Sequence, residues 1–176
     1  MTDVVALLDR PWRILALAVV ASAGLVAGAH FFETVVGLPP CPLCQDQREA
    51  HWTAIGLAAL GLGAMRASSA APIGAAALGA LALVYGFSAV LAGYHAGVEW
   101  RFWPGPATCG GGGAIDIDPA VLLDALDETP GPVSCADAPW RLLGVSMAGY
   151  NALFSAALFA VAGVGAVRFA NREDRS

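Results

Sequence analysis

Four cysteines carry the chemistry open to this chain. Cys41 and Cys44 stand in a Cys-Pro-Leu-Cys run, with Arg48 four residues beyond the second. Cys109 and Cys135 lie far downstream, in the longest polar stretch. A CxxC disulfide closes a small ring that an attacking thiolate opens readily, so the motif suits redox exchange. A second pair at long spacing gives the first something to exchange electrons with. The pattern points to a disulfide relay at a membrane surface.

The neighbours of the CxxC sharpen that reading. Leu38-Pro39-Pro40 stiffens the approach to Cys41, and Pro42 is tolerated in a first helical turn, where its missing N–H has no partner anyway. A helix is therefore expected to begin at the CxxC. That start places Cys44 near a helix N-terminus, where free N–H groups and the macrodipole favour a thiolate. Arg48 at i+4 shares a face with Cys44 and adds a fixed cation. The alternative for Arg48 is an interfacial arginine that snorkels to headgroups, with Asp46 and Glu49 as local counter-charges. His95 and Glu99, also at i, i+4, can bind a polar head or shuttle protons; they can equally be an ordinary interfacial pair. His51, seven residues after Cys44, is a lesser candidate on the same helix.

The elements that hold these residues are read from composition. The chain has 176 residues, 57% hydrophobic and 13% charged, with no lysine. Runs nearly free of charge cover Ile14–Phe32, Ala50–Met65, Ala67–Val98 and Leu142–Val167. About 20 apolar residues are needed to cross roughly 30 Å of hydrocarbon. The second run is short and recruits the turn from Gln45 to Glu49 or a locally thin bilayer. The expected fold is an all-α membrane protein, a four-transmembrane-helix bundle forming one membrane domain over residues 1–176. Its helices fall at about 12–32, 44–66, 72–98 and 142–169, with external loops at about 33–43 and 99–141. Pairs such as Gly24/Gly28 and Ala75/Gly79 read as small-residue packing seams.

Arginine placement orients the chain. Arg10, Arg13, Arg66, Arg168, Arg172 and Arg175 fall on one side, and ten of the fourteen acidic residues on the other. The positive-inside rule makes the arginine side cytoplasmic, with both termini inside and both cysteine pairs outside, where disulfides persist. Ala27-Gly28-Ala29 also resembles a signal cleavage site, but the apolar run continues through Phe31 and Phe32, favouring a retained helix. In the second loop, Trp100, Phe102 and Trp103 form an interfacial belt, and four glycines after Cys109 leave that cysteine mobile. Asp118-Pro119 starts a short helix to about Asp127, whose apolar face rests on the membrane surface or packs on the bundle. No nucleic-acid partner is expected of a chain with net charge −5.

The chain resembles the DsbB family of quinone-dependent, disulfide-generating membrane proteins. The matching residues are Pro40-Cys41-Pro42-Leu43-Cys44 with Arg48, Ala107-Thr108-Cys109, and Cys135-Ala136 with Trp140, Leu143-Gly144 and Met147. Vitamin K epoxide reductase-like proteins also have four-helix cores, but their loop cysteines precede the CxxC. The resemblance implies a bacterial inner-membrane oxidoreductase that reoxidises a periplasmic DsbA-like thiol oxidase. It implies that Cys109 takes the mixed disulfide, Cys135 exchanges with Cys41, and Cys44 delivers electrons to a quinone, ubiquinone or menaquinone, drawn from the membrane pool. Arg48 and a histidine at the position of His95 would attend the quinone. The spacing between His95 and Cys109 departs from the family by a residue, which puts His95 and Glu99 in question as contacts. A terminal oxidant is needed on energetic grounds. A DsbA-type oxidant sits near about −120 mV and ordinary structural disulfides below about −300 mV, a gap of roughly 8 kcal/mol for two electrons.

Two readings of other classes remain open. One is an all-cysteine zinc site, although such sites usually draw on two CxxC motifs. The other is a non-catalytic membrane scaffold whose cysteines only staple loops. Midplane charges that would mark a transport path are lacking.

Overall fold

The computed structural model describes residues 10–67, 72–109 and 133–173. Four helices dominate: α1 (Pro11–Thr34), α2 (Pro42–Ala67), α3 (Pro72–Glu99) and α4 (Met147–Glu173). Proline is the first residue of α1, α2 and α3. Its fixed φ and absent N–H suit a first helical turn, so each start is written locally in the chain. α1 ends before Gly37, whose φ of +80° turns the chain toward Pro39 and Pro40.

The four helices share one apolar core. Ile14, Leu15 and Ala18 of α1 meet Ala54 and Ala58 of α2, Leu78, Leu81 and Tyr85 of α3, and Ala162 of α4. Small residues set the closest approaches. A Cβ built at Gly165 would lie 2.7 Å from Ile14 Cδ1, and one at Gly61 would lie 2.9 Å from the Ala77 Cβ. The expected seams lie elsewhere: nothing stands within 4 Å of a Cβ at Gly24, Gly28 or Gly79. Spacing alone does not say which face of a helix meets its neighbour.

Three helices, Pro11–Thr34, Pro72–Glu99 and Met147–Arg172, are long and apolar enough to cross a membrane, with mean hydropathies of 2.1, 2.0 and 1.8. α2 has 26 residues but opens on polar turns, Gln45 to Glu49. Its buried stripe is Leu43, Gln47, Ala50, His51, Ala54, Ala58 and Gly61, a helical periodicity that is polar near Cys44 and alanine-rich beyond. Outward-facing Val20, Leu60, Leu83 and Val90 are each more than 70% exposed, so all of α1, α2 and α3 present apolar side chains away from the core.

The start of the last helix differs from expectation. Residues 142–146 are not helical. Arg141–Leu142 pairs antiparallel with Val145–Ser146 in a small hairpin, and α4 begins at Met147. Leu143 and Gly144 both have positive φ, +50° and +82°, the geometry of a two-residue hairpin turn. Ser146 Oγ then accepts the Gly149 N–H at 3.1 Å and caps α4. The apolar character of Leu142-Leu143 hid a turn and a cap. The expected short helix from Asp118 to Asp127 lies outside the described residues.

Candidate active site

Pro39 and Pro40 deliver Cys41 to the end of α2, and Pro42 starts the helix, leaving Cys44 in its first turn. The Cys44 N–H points at Cys41 Sγ, 3.3 Å away, and the two sulfurs are 2.8 Å apart as free cysteines. Cys41 is buried and Cys44 half-buried. The hydrogen bond to the Cys44 sulfur, together with burial, holds the Cys41 thiol above the ordinary thiol range.

Cys109 and Cys135 form a disulfide with Cα atoms 5.3 Å apart. Cys109 is buried in a short 3-10 turn, Ala107–Cys109, rather than loose as the glycines after it led us to expect; those glycines lie outside the described residues. Cys41, Leu43, Val98, Cys109 and Cys135 make a single buried cluster. Within it, Cys41 Sγ, Cys135 Sγ and a His95 ring nitrogen lie within 4.8 Å of one another. Such a triad has the ligand chemistry of a metal site, but the Cys135 sulfur is committed to its disulfide. What the arrangement brings together is a free thiol and a disulfide at near-exchange distance.

Arg48 turns from α2 to α1. Its Nη1 pairs with the Glu33 carboxylate, and its Nη2 donates to the Ala29 carbonyl at 3.1 Å. The expected counter-charges, Asp46 and Glu49, are not its partners among these contacts; Glu33, fifteen residues away, is. His95 and Glu99 are both buried, with Nε2 to Oε1 at 3.9 Å. Glu99 accepts a hydrogen bond from Ser146, so the cap of α4 also holds the end of α3.

Behind the cysteines runs a chain of uncharged polar groups that a search for charges misses. His95 Nε2 is 3.6 Å from Cys41 Sγ, and its Nδ1 is 2.8 Å from Gln47 Nε2. Gln47 Oε1 meets Asn151 Nδ2 at 2.7 Å, and Asn151 Oδ1 meets His51 Nε2 at 2.8 Å. His51 Nδ1 is 3.3 Å from Ser22 Oγ, which is 2.8 Å from the Tyr85 hydroxyl. Gln47 and His51 lie one turn apart and on the side of Cys44, a pattern visible in sequence. Asn151 announces itself only as an amide inside an apolar run.

A cavity of about 290 Å³ adjoins this cluster. Cys44, Arg48, His95 and Glu99 line it together with Phe32, Leu38, Trp140 and Met147. Gly24 and Gly28 of α1 also border it, with no atom within 4 Å of where their Cβ atoms would stand. Phe32 and Trp140 close one side, ring centroids 5.2 Å apart. All seven residues expected to carry chemistry, the four cysteines with Arg48, His95 and Glu99, therefore lie in the cavity lining or the adjoining cysteine cluster.

A family model described as "Disulfide bond formation protein DsbB" matches residues 11–165. The chain is 34% identical over 146 residues to "Disulfide bond formation protein B" of Polaromonas naphthalenivorans (strain CJ2), covering 82% of this chain and 84% of that one. It is 36% identical over 153 residues to the protein of the same name from Verminephrobacter eiseniae (strain EF01-2), covering 86% and 84%. The counterpart from Marinobacter nauticus (strain ATCC 700491 / DSM 11845 / VT8) is 31% identical over 142 residues, covering 80% and 83%. No solved structure matches the chain.

Proposed function

This chain belongs to the DsbB family of disulfide bond formation proteins, and on that premise we propose that it reoxidises a periplasmic DsbA-like dithiol protein through two cysteine pairs. The observation that carries the proposal is the shared cluster, in which Cys41 Sγ lies within 4.8 Å of Cys135 Sγ while Cys135 is bonded to Cys109. A relay needs its two pairs in contact, and a pair of structural staples does not.

The sequence of exchanges starts with both pairs oxidised. A partner thiolate attacks Cys109 Sγ, the mixed disulfide forms, and Cys135 leaves as thiolate. Cys135 attacks Cys41 Sγ, the Cys135–Cys41 bond forms, and Cys44 leaves with the electron pair. The partner's second thiolate then releases Cys109, forming the partner's disulfide. Cys109 attacks Cys135 Sγ, restoring the loop disulfide, and Cys41 leaves. The partner is oxidised by two electrons and Cys41 and Cys44 are left reduced. Each step uses a thiolate and a disulfide only.

The cavity fits a quinone as the terminal acceptor, ubiquinone or menaquinone. Its walls are largely apolar, Gly24 and Gly28 leave room for a flat ring, and Arg48 supplies N–H donors beside Cys44. A quinone held there would supply a two-electron, two-proton acceptor, against which the Cys41–Cys44 dithiol would close to its disulfide. Arg48 would hold a carbonyl oxygen, and Phe32, Leu38 and Met147 would exclude water from the sulfur.

We place all four helices in the bacterial inner membrane as one domain spanning residues 1–176, with termini cytoplasmic and cysteines periplasmic. α2 supports this by sharing the core and by presenting Leu60, 72% exposed, outward. The test is direct. Pure protein, a reduced DsbA-type dithiol protein and a soluble quinone are mixed and quinone absorbance is followed. Reduction is expected with the wild type and not with Cys41→Ser, Cys44→Ser, Cys109→Ser or Cys135→Ser; a wild type that reduces no quinone with any dithiol partner sinks the proposal.

A further inference from the structure

The hydrogen bonds behind the cysteines have one direction, and it can be worked out from a single carbonyl. Gln47 Nε2 lies 3.0 Å from the Leu43 main-chain oxygen. A carbonyl only accepts, so the Gln47 amide nitrogen must face it, and the same NH₂ group donates its other hydrogen to His95 Nδ1, 2.8 Å away. His95 Nδ1 is therefore a bare lone pair. The ring proton sits on Nε2, the nitrogen 3.6 Å from Cys41 Sγ.

The far side of the chain obeys the same logic. Gln47 Oε1 is now an acceptor and takes the Asn151 Nδ2 hydrogen. Asn151 Oδ1 is then an acceptor too, facing His51 Nε2 at 2.8 Å and Ser155 Oγ at 3.3 Å. His51 must carry its proton on Nε2 and accept at Nδ1 from the Ser22 hydroxyl. Ser22 Oγ also lies 2.8 Å from the Tyr85 hydroxyl, whose own hydrogen faces the Ala18 carbonyl at 3.3 Å. From His51 through Asn151, Gln47 and His95, each donor in the series points toward Cys41. Ser22, Tyr85, Gln47, His51 and His95 are buried, and Asn151 is half-buried at the cavity wall.

We infer that Gln47, Asn151 and His51 are positioning residues that lock His95 in the Nε2–H tautomer, as a fixed hydrogen-bond donor at the junction where Cys135 and Cys41 exchange. A His95 ring nitrogen lies within 4.8 Å of both Cys41 Sγ and Cys135 Sγ, and Nε2 has Glu99 Oε1 at 3.9 Å, so the donor sits between the two sulfur-bearing segments. The step it assists is the last exchange. Cys109 thiolate attacks Cys135 Sγ, the Cys109–Cys135 bond forms, the Cys135–Cys41 bond breaks, and Cys41 departs with the electron pair. A buried sulfur is a poor leaving group unless a donor meets the developing charge. With the other tautomer, a lone pair would face that charge.

The inference deepens the relay reading and depends on it only for its kinetic arm. In the full-length protein in detergent, with ¹⁵N-labelled histidines, the His95 signals are identified by their loss in His95→Gln. The expected result is a protonated Nε2 and a bare Nδ1. Gln47→Met keeps length but removes the donor, and a mixture of tautomers is expected. The release of Cys41 from the Cys135–Cys41 disulfide, followed by acid quench and alkylation in quinone-free protein, is expected to slow about tenfold, or about 1.4 kcal/mol. Asn151→Leu should do the same more weakly. A proton on Nδ1 in the wild type overturns the inference whether or not the variants fold. An unchanged release rate in Gln47→Met with shifted tautomers overturns the catalytic consequence. If the wild type exchanges no disulfide with a dithiol protein, the relay reading fails, and the ring signals still judge the hydrogen-bond chain.

Discussion

Arg48 was expected to serve Cys44 through its i+4 spacing, and the structure gives it a second engagement. Its guanidinium pairs with Glu33 and donates to Ala29, tying the start of α2 to the end of α1 along the cavity wall. Planar donors fixed in this way present the remaining N–H groups in one direction. Replacing Arg48 with Lys keeps a charge but loses the fork, so we expect weaker quinone binding with partial activity. Arg48→Ala should raise the quinone Michaelis constant about tenfold or more, about 1.4 kcal/mol if it tracks binding, while thiol–disulfide exchange with the protein partner survives. Unchanged quinone kinetics in Arg48→Ala would move the quinone site elsewhere. Glu33→Gln makes the complementary case. It leaves the charge of Arg48 but removes its ionic anchor, so a smaller rise of the same constant is expected. Cys41 offers a further residue-scale check. Its pKa is raised, so at any pH near neutrality less of it is thiolate than of a free cysteine. In the reduced protein, Cys41 should therefore alkylate more slowly than an exposed thiol at pH 8, as read by mass spectrometry of iodoacetamide-treated samples.

At the scale of elements, the hairpin and the glycine face of α1 decide how the cavity is built. Ser146 caps α4 through Gly149 and donates to buried Glu99. Ser146→Ala removes both, at a cost of about 1 kcal/mol for the cap alone and more for the unpaired acid, so a lower melting temperature in detergent is expected. Gly28 borders the cavity with nothing within 4 Å of where a Cβ would stand. Gly28→Leu should fill that space, leaving the helix intact and blocking quinone turnover; full turnover would show that the cavity is not the quinone site. These two positions also mark what sequence could and could not tell. Helix existence was legible because apolar runs and N-terminal prolines are local signals. The four cysteines, Arg48 and the His95–Glu99 pair were legible from type and spacing. The start of α4 was not, since Leu142-Leu143 reads as membrane while the chain there reverses through positive φ. Nor was the chain of Gln47, Asn151, His51 and Ser22, because its partners come from three helices and only packing brings them together.

For the molecule as a whole, function turns on which end of the helices holds the cysteines and which compartment that end meets. The loop disulfide, the CxxC, the hairpin and the aromatic residues Trp100, Phe102 and Trp103 all gather at one end, where α1 and α3 finish and α2 and α4 begin. Arg66 and Arg172 fall in the last turns at the opposite end. Positive charge resists translocation across the bacterial membrane, so the arginine end should stay inside. A relay serving a periplasmic partner requires the same orientation, because its loop disulfide must meet that partner where disulfides persist. Single cysteines in a cysteine-free background separate the possibilities. Leu143, 91% exposed at the hairpin tip, is a suitable reporter of one end, and Arg172 of the other. In intact spheroplasts, Leu143→Cys should react with a membrane-impermeant maleimide, and Arg172→Cys only after the membrane is permeabilised. The reverse pattern would put both cysteine pairs in the reducing cytoplasm, where the loop disulfide would not persist and the relay could not run.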